Sequence, residues 1–192
     1  RKPPQHGACR VPRTVAASDG FARQLRRARR RRRSRELAEA QAYIAQIEAA
    51  KDAGVEIVLT TEAVLDAMAD TVTPQGIVAV ARQSPSALRD VFAASPTLIA
   101  ICEEVRDPGN LGTIIRTADA AGCGGVILIG DCVDPFSVEA VRATMGSVFA
   151  VAIAKASTAE FLAWRETWPG SVVGTRLDAT VDHRRAAYAK PS

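Results

Sequence analysis

The chain has 192 residues, 47% of them hydrophobic and 24% charged, with a formal net charge of +4. That is material for one ordinary domain, or one domain with a small appendage, and it excludes disorder throughout. No apolar run approaches the roughly 20 residues that span a bilayer, and the basic, proline-containing start lacks the apolar segment of a secretory signal. A soluble, cytoplasmic protein with no membrane partner is expected.

The net charge conceals an asymmetry. Residues 1–35 hold thirteen Lys or Arg against the single acid Asp19, for +12, and residues 36–192 hold twelve against twenty acids, for −8. An arm containing RQLRRARRRRRSR can neutralise phosphates and speed encounter with a polyanion. With almost no aromatic residues to stack on bases, such binding would be blind to sequence. The same span also reads as a disordered tail or as non-native sequence.

From Ser34, SRELAEAQAYIAQIEAAKDAG reads as a helix with a serine cap, apolar Leu37, Tyr43, Ile44 and Ile47 on one side, and Gly54 as its stop. VEIVL reads as a strand, TTEAVLDAMAD as a capped helix, TPQGIVAVARQ as a turn and short strand, and SPSALRDVFAASP as a linker with a helical middle. From Thr97 a regular rhythm begins. TLIAICEE is a buried strand, 107–110 a loop, 111–121 a helix, GVILIG a buried strand, DCVDPF a loop, SVEAVRATM a helix, VFAVAI a strand, STAEFLAWRETW a helix and SVVGTRL a strand. Short apolar strands alternating with helices predict an α/β fold: an open, mostly parallel sheet covered by helices on both faces. The polar DATVDHRRAAYAKPS carries no further strand or covering helix, so the chain is expected to be a fragment.

In such a sheet ligands gather at the carboxyl ends of the strands, where each loop leads into a helix whose first amides point outward. Asp107 to Gly112 is such a loop, with Asn110 suited to cap the helix and Gly109 and Gly112 permitting close approach of backbone or phosphate. Arg116, six residues beyond Asn110, is a guanidinium among Ile114, Ile115, Ala118 and Ala121. It can reach back over the helix mouth or pair with Asp119 on the surface.

Other chemistries are excluded by their motifs. There is no G-x-x-x-x-G-K-[ST] and no G-x-G-x-x-G after a strand, since GCGG at 122–125 precedes its strand. No G-x-S-x-G elbow occurs, and only His183 lies in the α/β half to serve a nucleophile. Adjacent Glu103 and Glu104 point to opposite faces of a strand and make a poor acid/base couple. Cys9, Cys102, Cys123 and Cys132 form no C-x-x-C pair and have only His6 and His183 as imidazole partners, so no metal site or disulfide framework is expected and the thiols are read as reduced and mostly buried.

DPGNLGTIIRTADAAG with GVILIG, and then DPFSVEAVRATMGSVFAVAI, resembles the first half of the SpoU (TrmH-like) family of RNA ribose methyltransferases in the knotted SPOUT superfamily. Upstream TPQGIVAV resembles the segment joining that family's substrate-binding and catalytic domains. The resemblance covers roughly residues 36–192 and implies an S-adenosylmethionine-dependent 2'-O-methyltransferase acting on ribosomal or transfer RNA as a homodimer. It implies catalytic roles for Asn110 and Arg116, the arginine engaging the target nucleotide and helping to deprotonate the ribose hydroxyl, and cofactor-lining roles for Gly174 and Thr175. Glu139, Arg142 and Ser147 fall in the family's second stretch and are expected to serve helix packing and a helix stop.

The chain departs from the family pattern where the G-N-E loop and S-L-N segment of the knot should follow SVVGTRL. The expected division is therefore a basic arm over 1–35, a partial RNA substrate-binding domain over 36–84, a linker over 85–96 and the N-terminal part of a methyltransferase domain over 97–192, with the knot portion missing and the cofactor pocket incomplete. A non-catalytic RNA-binding protein derived from this fold is the alternative.

Overall fold

The computed structural model of the chain describes residues 14–18, 44–69, 76–83, 85–93, 96–186, 188–189 and 191–192. It divides near residue 83 into two compact units.

The first unit carries a three-stranded sheet of β1 (Thr14–Ser18), β2 (Glu56–Thr60) and β3 (Ile77–Val80) in the order β2-β1-β3. β1 runs parallel to β2, with Thr14 opposite Glu56, and antiparallel to β3, with Thr14 opposite Val80. This revises the reading of residues 1–35 as an arm outside the domain, because 14–18 supply the middle strand of its sheet. Helix α1 (44–52) is the described part of the helix expected from Ser34, whose residues 34–43 lie outside the described ones. It stops where expected. Gly54 takes φ +79, its amide bonds Lys51 O at 2.9 Å and the Val55 amide bonds Ala50 O at 3.0 Å, a glycine-terminated Schellman arrangement. Helix α2 (Glu62–Ala69) starts at Thr61, whose hydroxyl accepts from the Val64 amide at 3.4 Å, and buries Leu65.

In the second unit, after the short helix α3 (Leu88–Ala93), strands β4 (Ala100–Glu103), β5 (Val126–Ile129) and β6 (Ile153–Ala156) form a parallel sheet in sequence order. Ala100 pairs with Val126, and Val126 with Ile153. Helices α4 (Pro108–Ala120), α5 (Val138–Ala143) and α6 (Thr158–Arg165) connect or follow these strands. The chain is thus an α/β protein with a parallel sheet between helices. β5 explains why: all four of its residues are buried, and their alternation sends Val126 and Leu128 to one face, Ile127 and Ile129 to the other.

On the first face Val126 and Leu128 meet Leu111, Ile115 and Ala118 of α4, together with Cys102, Val148 and Ile153. On the second, Ile127 and Ile129 meet Val91, Ile99 and Ala154, flanked by Phe92, Phe161 and Trp168. Phe92 stacks on Trp164 with ring centroids 4.1 Å apart. Each fully buried Leu or Ile here contributes about 1.5–3 kcal/mol.

Two expected strands differ. VFAVAI begins with a 3-10 turn, Ser147–Phe149, and only its end enters β6. SVVGTRL is irregular over 171–176. A strand exists only when a neighbour completes its ladder, and the edge beside residues 97–99 is taken by Ser192, whose amide bonds Thr97 O at 3.0 Å and whose carbonyl accepts from the Ile99 amide at 2.9 Å. No described helix is long and apolar enough to cross a membrane.

Candidate active site

Helix α4 opens at the carboxyl ends of β4 and β5. Both strands end in the left-handed region, at Glu104 (φ +49) and Gly130 (φ +69), which turns the chain sharply out of the sheet. Asp107 then caps α4 from an extended conformation, its carboxylate accepting from the Asn110 amide at 2.6 Å. Pro108 follows at the first helical position, where its fixed φ suits the turn and its missing N–H leaves no bond unmade.

The cap is therefore Asp107 and not Asn110, a correction to the sequence reading. Asp-Pro-Gly is itself a helix-start signature, an acidic cap followed by proline, and would have placed the start at 108 instead of 111. Asn110 sits exposed in the first turn. Arg116 lies on the same helix, about 9 Å farther along the axis and ~120° around it.

Ile115 and Leu111 hold the inward face of α4, fully buried, while Arg116 is exposed. No carboxylate among the described residues lies within ion-pair reach of Arg116, Asp119 included. The hydroxyls of Thr113 and Thr117 are spent on the helix itself, donating to Gly109 O at 2.9 Å and Thr113 O at 2.8 Å. The exposed guanidinium is thus open to a ligand, as is the exposed Asn110 side chain in the first turn. Arg106, just before the cap, stands 3.7 Å from Glu104 and 3.8 Å from Asp131, exposed pairs of small energetic weight.

α4 and α5 pack unusually close. A Cβ on Gly112 would lie 2.5 Å from both Ala140 O and Ala143 Cβ. Ser137 caps α5 by accepting from the Ala140 amide at 3.4 Å, and Glu139 and Arg142 are exposed. Beyond α5, wholly buried Thr144 donates its hydroxyl to Val141 O at 2.7 Å and accepts from the Gly146 amide at 3.3 Å. This fixes the turn of Met145 (φ +51) and Gly146 (φ +99), after which Ser147 opens the 3-10 turn. Nothing in the local pattern marks Thr144, because a lone threonine in an amphipathic stretch reads as a surface residue.

Gly174 and Thr175 lie exposed in the irregular 171–176 segment, with nothing within 4 Å of a Cβ built on Gly174. Thr175 lines a cavity of about 230 Å³ with Ile99, Ile101, Trp164, Trp168 and Val173. Its apolar, tryptophan-lined wall suits the face of a purine, and the Thr175 hydroxyl adds a polar contact, whereas the Ser171 hydroxyl is bonded to Ala189 O at 3.0 Å and no acidic or amide side chain lines it. The lining fits part of an S-adenosylmethionine molecule and leaves its charged amino-acid end without partners. Asn110 and Arg116 belong to the helix on one face of the sheet, whereas the cavity adjoins Ile99 and Trp168 of the other. No group of three or more His, Cys, Asp or Glu among the described residues is placed to hold a metal ion.

Residues 97–191 match the SpoU rRNA Methylase family, and residues 34–87 match the family of RNA 2'-O ribose methyltransferase substrate binding. The chain is 32% identical over 126 residues to the 23S rRNA (guanosine(2553)-2'-O)-methyltransferase RlmP of Bacillus subtilis, covering 66% of this chain and 49% of that protein. It is 35% identical over 116 residues to the mitochondrial rRNA methyltransferase 3 of Homo sapiens, covering 58% of this chain and 27% of the other. Among solved structures, an AdoMet-bound rRNA methyltransferase from Sinorhizobium meliloti superposes with a TM-score of 0.74 at 36% identity, over 95% of this chain and 61% of that one. The chain therefore spans half or less of these two curated relatives.

Proposed function

The chain belongs to the SpoU rRNA Methylase family, and from that membership we propose that it is part of an S-adenosylmethionine-dependent RNA 2'-O-ribose methyltransferase, with ribosomal or transfer RNA as substrate. The observation that carries this reading is Arg116: an exposed guanidinium without a carboxylate partner among the described residues, on a helix that opens at the strand ends.

A ribose hydroxyl is a poor nucleophile. A guanidinium beside it stabilises the developing alkoxide and holds the adjacent phosphate, and the positive end of α4 favours the same anion. Asn110, in the first turn, offers an amide side chain to orient the nucleotide. S-adenosylmethionine supplies the methyl group when bound, and Gly174 and Thr175 would form part of its wall. The close packing of α4 on α5 holds Asn110 and Arg116 in place at this rim, so that the nucleotide meets them already oriented. Self-association into a homodimer belongs to the same proposal and is read by analytical ultracentrifugation.

The test is methyl transfer by the gene product carrying this sequence, with labelled S-adenosylmethionine and ribosomal RNA, followed by nuclease digestion to nucleosides. A 2'-O-methylated nucleoside supports the assignment; label found only on bases, or none at all, defeats it. The open, carboxylate-free cavity at Thr175 favours a second reading, an RNA-binding protein without methyl transfer. Micromolar binding of S-adenosylmethionine in a calorimetric titration would exclude that reading.

A further inference from the structure

Two of the cysteines stand in a relation that the methyl-transfer reading does not use. Cys102 is in β4, 4% exposed, on the same core cluster against which half-buried Cys132 packs. After β5 the chain turns at Gly130 (φ +69), and the Cys132 amide closes the turn on Gly130 O at 3.0 Å. This tight return carries the Cys132 sulfur back over the strand ends, where it donates to Ile129 O at 3.3 Å and to the carbonyl of Cys102 itself at 3.5 Å. Cys123 touches the same cluster but precedes β5, so the length of that strand, about 13 Å for four residues, separates it from Cys132.

We propose that Cys132 and Cys102 form an intramolecular disulfide in response to a hydroperoxide, a modification site at the carboxyl rim of the parallel sheet. Cys132 is the half-exposed partner and reacts first: its sulfur takes one peroxide oxygen, giving a sulfenic acid and releasing the other oxygen as water or alcohol. The Cys102 sulfur then attacks that sulfenic sulfur. The S–S bond forms, the S–OH bond breaks, and the hydroxide leaves as water with the Cys102 proton. Two thiols are oxidised by two electrons in all, and the hydroperoxide is reduced by two. Burial first, and the nearness of Cys132 second, push the Cys102 thiol up to about 11, which makes Cys102 the resolving partner and not the attacking one. Closing the bond needs rotation of the two side chains within one packed face. The bridge ties the 130–134 loop to β4, two residues before the turn at Glu104 and five before the Asp107 cap, so oxidation stiffens the rim from which α4 starts.

The test is hydrogen peroxide added to the full chain, read by intact mass and peptide mapping. Cleavage before Asp131 separates Cys123 from Cys132. A loss of about 2 Da, reversed by dithiothreitol, with a Cys102–Cys132 linkage and free thiols falling from four to two, is expected. Cys132→Ser keeps a donor at the same place and is expected to abolish the bridge, whereas Cys123→Ser leaves it intact. Oxygen addition to Cys132 without a bridge, a bridge to Cys9 or Cys123, or no change in mass would overturn the proposal. Methyl transfer enters none of these readouts, so the proposal stands or falls apart from the functional assignment.

Discussion

The Asp107 carboxylate accepts the backbone amide of Asn110 at 2.6 Å, so the residue expected to cap α4 is itself held by the true cap. Replacing Asp107 with Ala removes that acceptor and frays the first turn, where Asn110 must be presented. The expected cost is about 0.5–2 kcal/mol of stability, read as a lower denaturant midpoint. Methyl transfer should fall further than the stability loss alone requires, and Asp107→Asn should recover most of both. An Ala variant as stable as the parent would remove Asp107 from the capping role.

Much of the second unit was legible because its burial is local in sequence. VILI can be read as a strand covered on both faces, and it is: Val126 and Leu128 face one core, Ile127 and Ile129 the other. α4 starts three residues ahead of the expected 111, because Pro108 takes the first helical position, where it costs nothing. Long-range pairing was invisible. Thr14 pairs with Glu56 across forty-odd residues, and no periodicity in TVAAS announces it. SVVGTRL carries the β-branched Val172, Val173 and Thr175 and forms no strand, because propensity does not supply a neighbouring ladder. Of the candidate site, Arg116 was found through its incongruity in an apolar helix. Arg106 has no such signal, because its partner Asp131 comes from another loop, and Thr144 has none, because burial and not its local bonds to Val141 and Gly146 sets it apart.

Arg116→Ala should leave stability within about 0.5 kcal/mol, as expected of an exposed residue without an ion pair, while lowering kcat by roughly 10²–10³-fold. Arg116→Lys should recover only part of this, because an ammonium cannot hold a ribose oxygen and a phosphate in one rigid fork. The measurement is initial rate against S-adenosylmethionine and against RNA, alongside cofactor affinity, which should not change. Full turnover by the Ala variant would take Arg116 out of the chemistry.

Glycines 112 and 174 make a matched pair. A methyl at 112 meets Ala140 O and Ala143 Cβ at 2.5 Å, so Gly112→Ala must push α4 from α5, at a cost of about 1–3 kcal/mol. A methyl at 174 meets nothing within 4 Å, and Gly174→Ala should change stability by less than about 0.5 kcal/mol. If Gly174 lines the cofactor site, the same change weakens S-adenosylmethionine binding. Thermal melts of both variants, with calorimetry on the second, separate the structural role from the ligand role.

Ser157 and Glu160 form a capping box at the start of α6, the Glu160 carboxylate accepting from the Ser157 amide at 2.8 Å and its hydroxyl at 2.7 Å. These bonds, the backbone one first, hold Glu160 below its ordinary 4.5. A depressed carboxylate stabilises the fold above its unfolded value and loses that contribution as pH falls through the folded one. The difference in melting temperature between the parent and Glu160→Gln should therefore be constant above about pH 4.5 and shrink below it. A difference that grows on acidification would contradict this sign.

Cys102 makes the opposite prediction at alkaline pH. Its thiol is pushed from 9.0 up to about 11, by burial first and by Cys132 second. Between those values the folded chain keeps a proton that the unfolded chain has lost, so stability is full below pH 9 and declines as pH rises toward 11. One such proton gives a slope of up to about 1.4 kcal/mol per pH unit. Cys102→Ala should start less stable, because a small cavity replaces the sulfur beside Leu128, and should lack this part of the alkaline decline. Melting curves at pH 8, 9, 10 and 11 under reducing conditions compare the two. Parallel declines in parent and variant would mean that the Cys102 thiol ionises in the folded chain as readily as in the unfolded one, and that the rim of β4 is open to water.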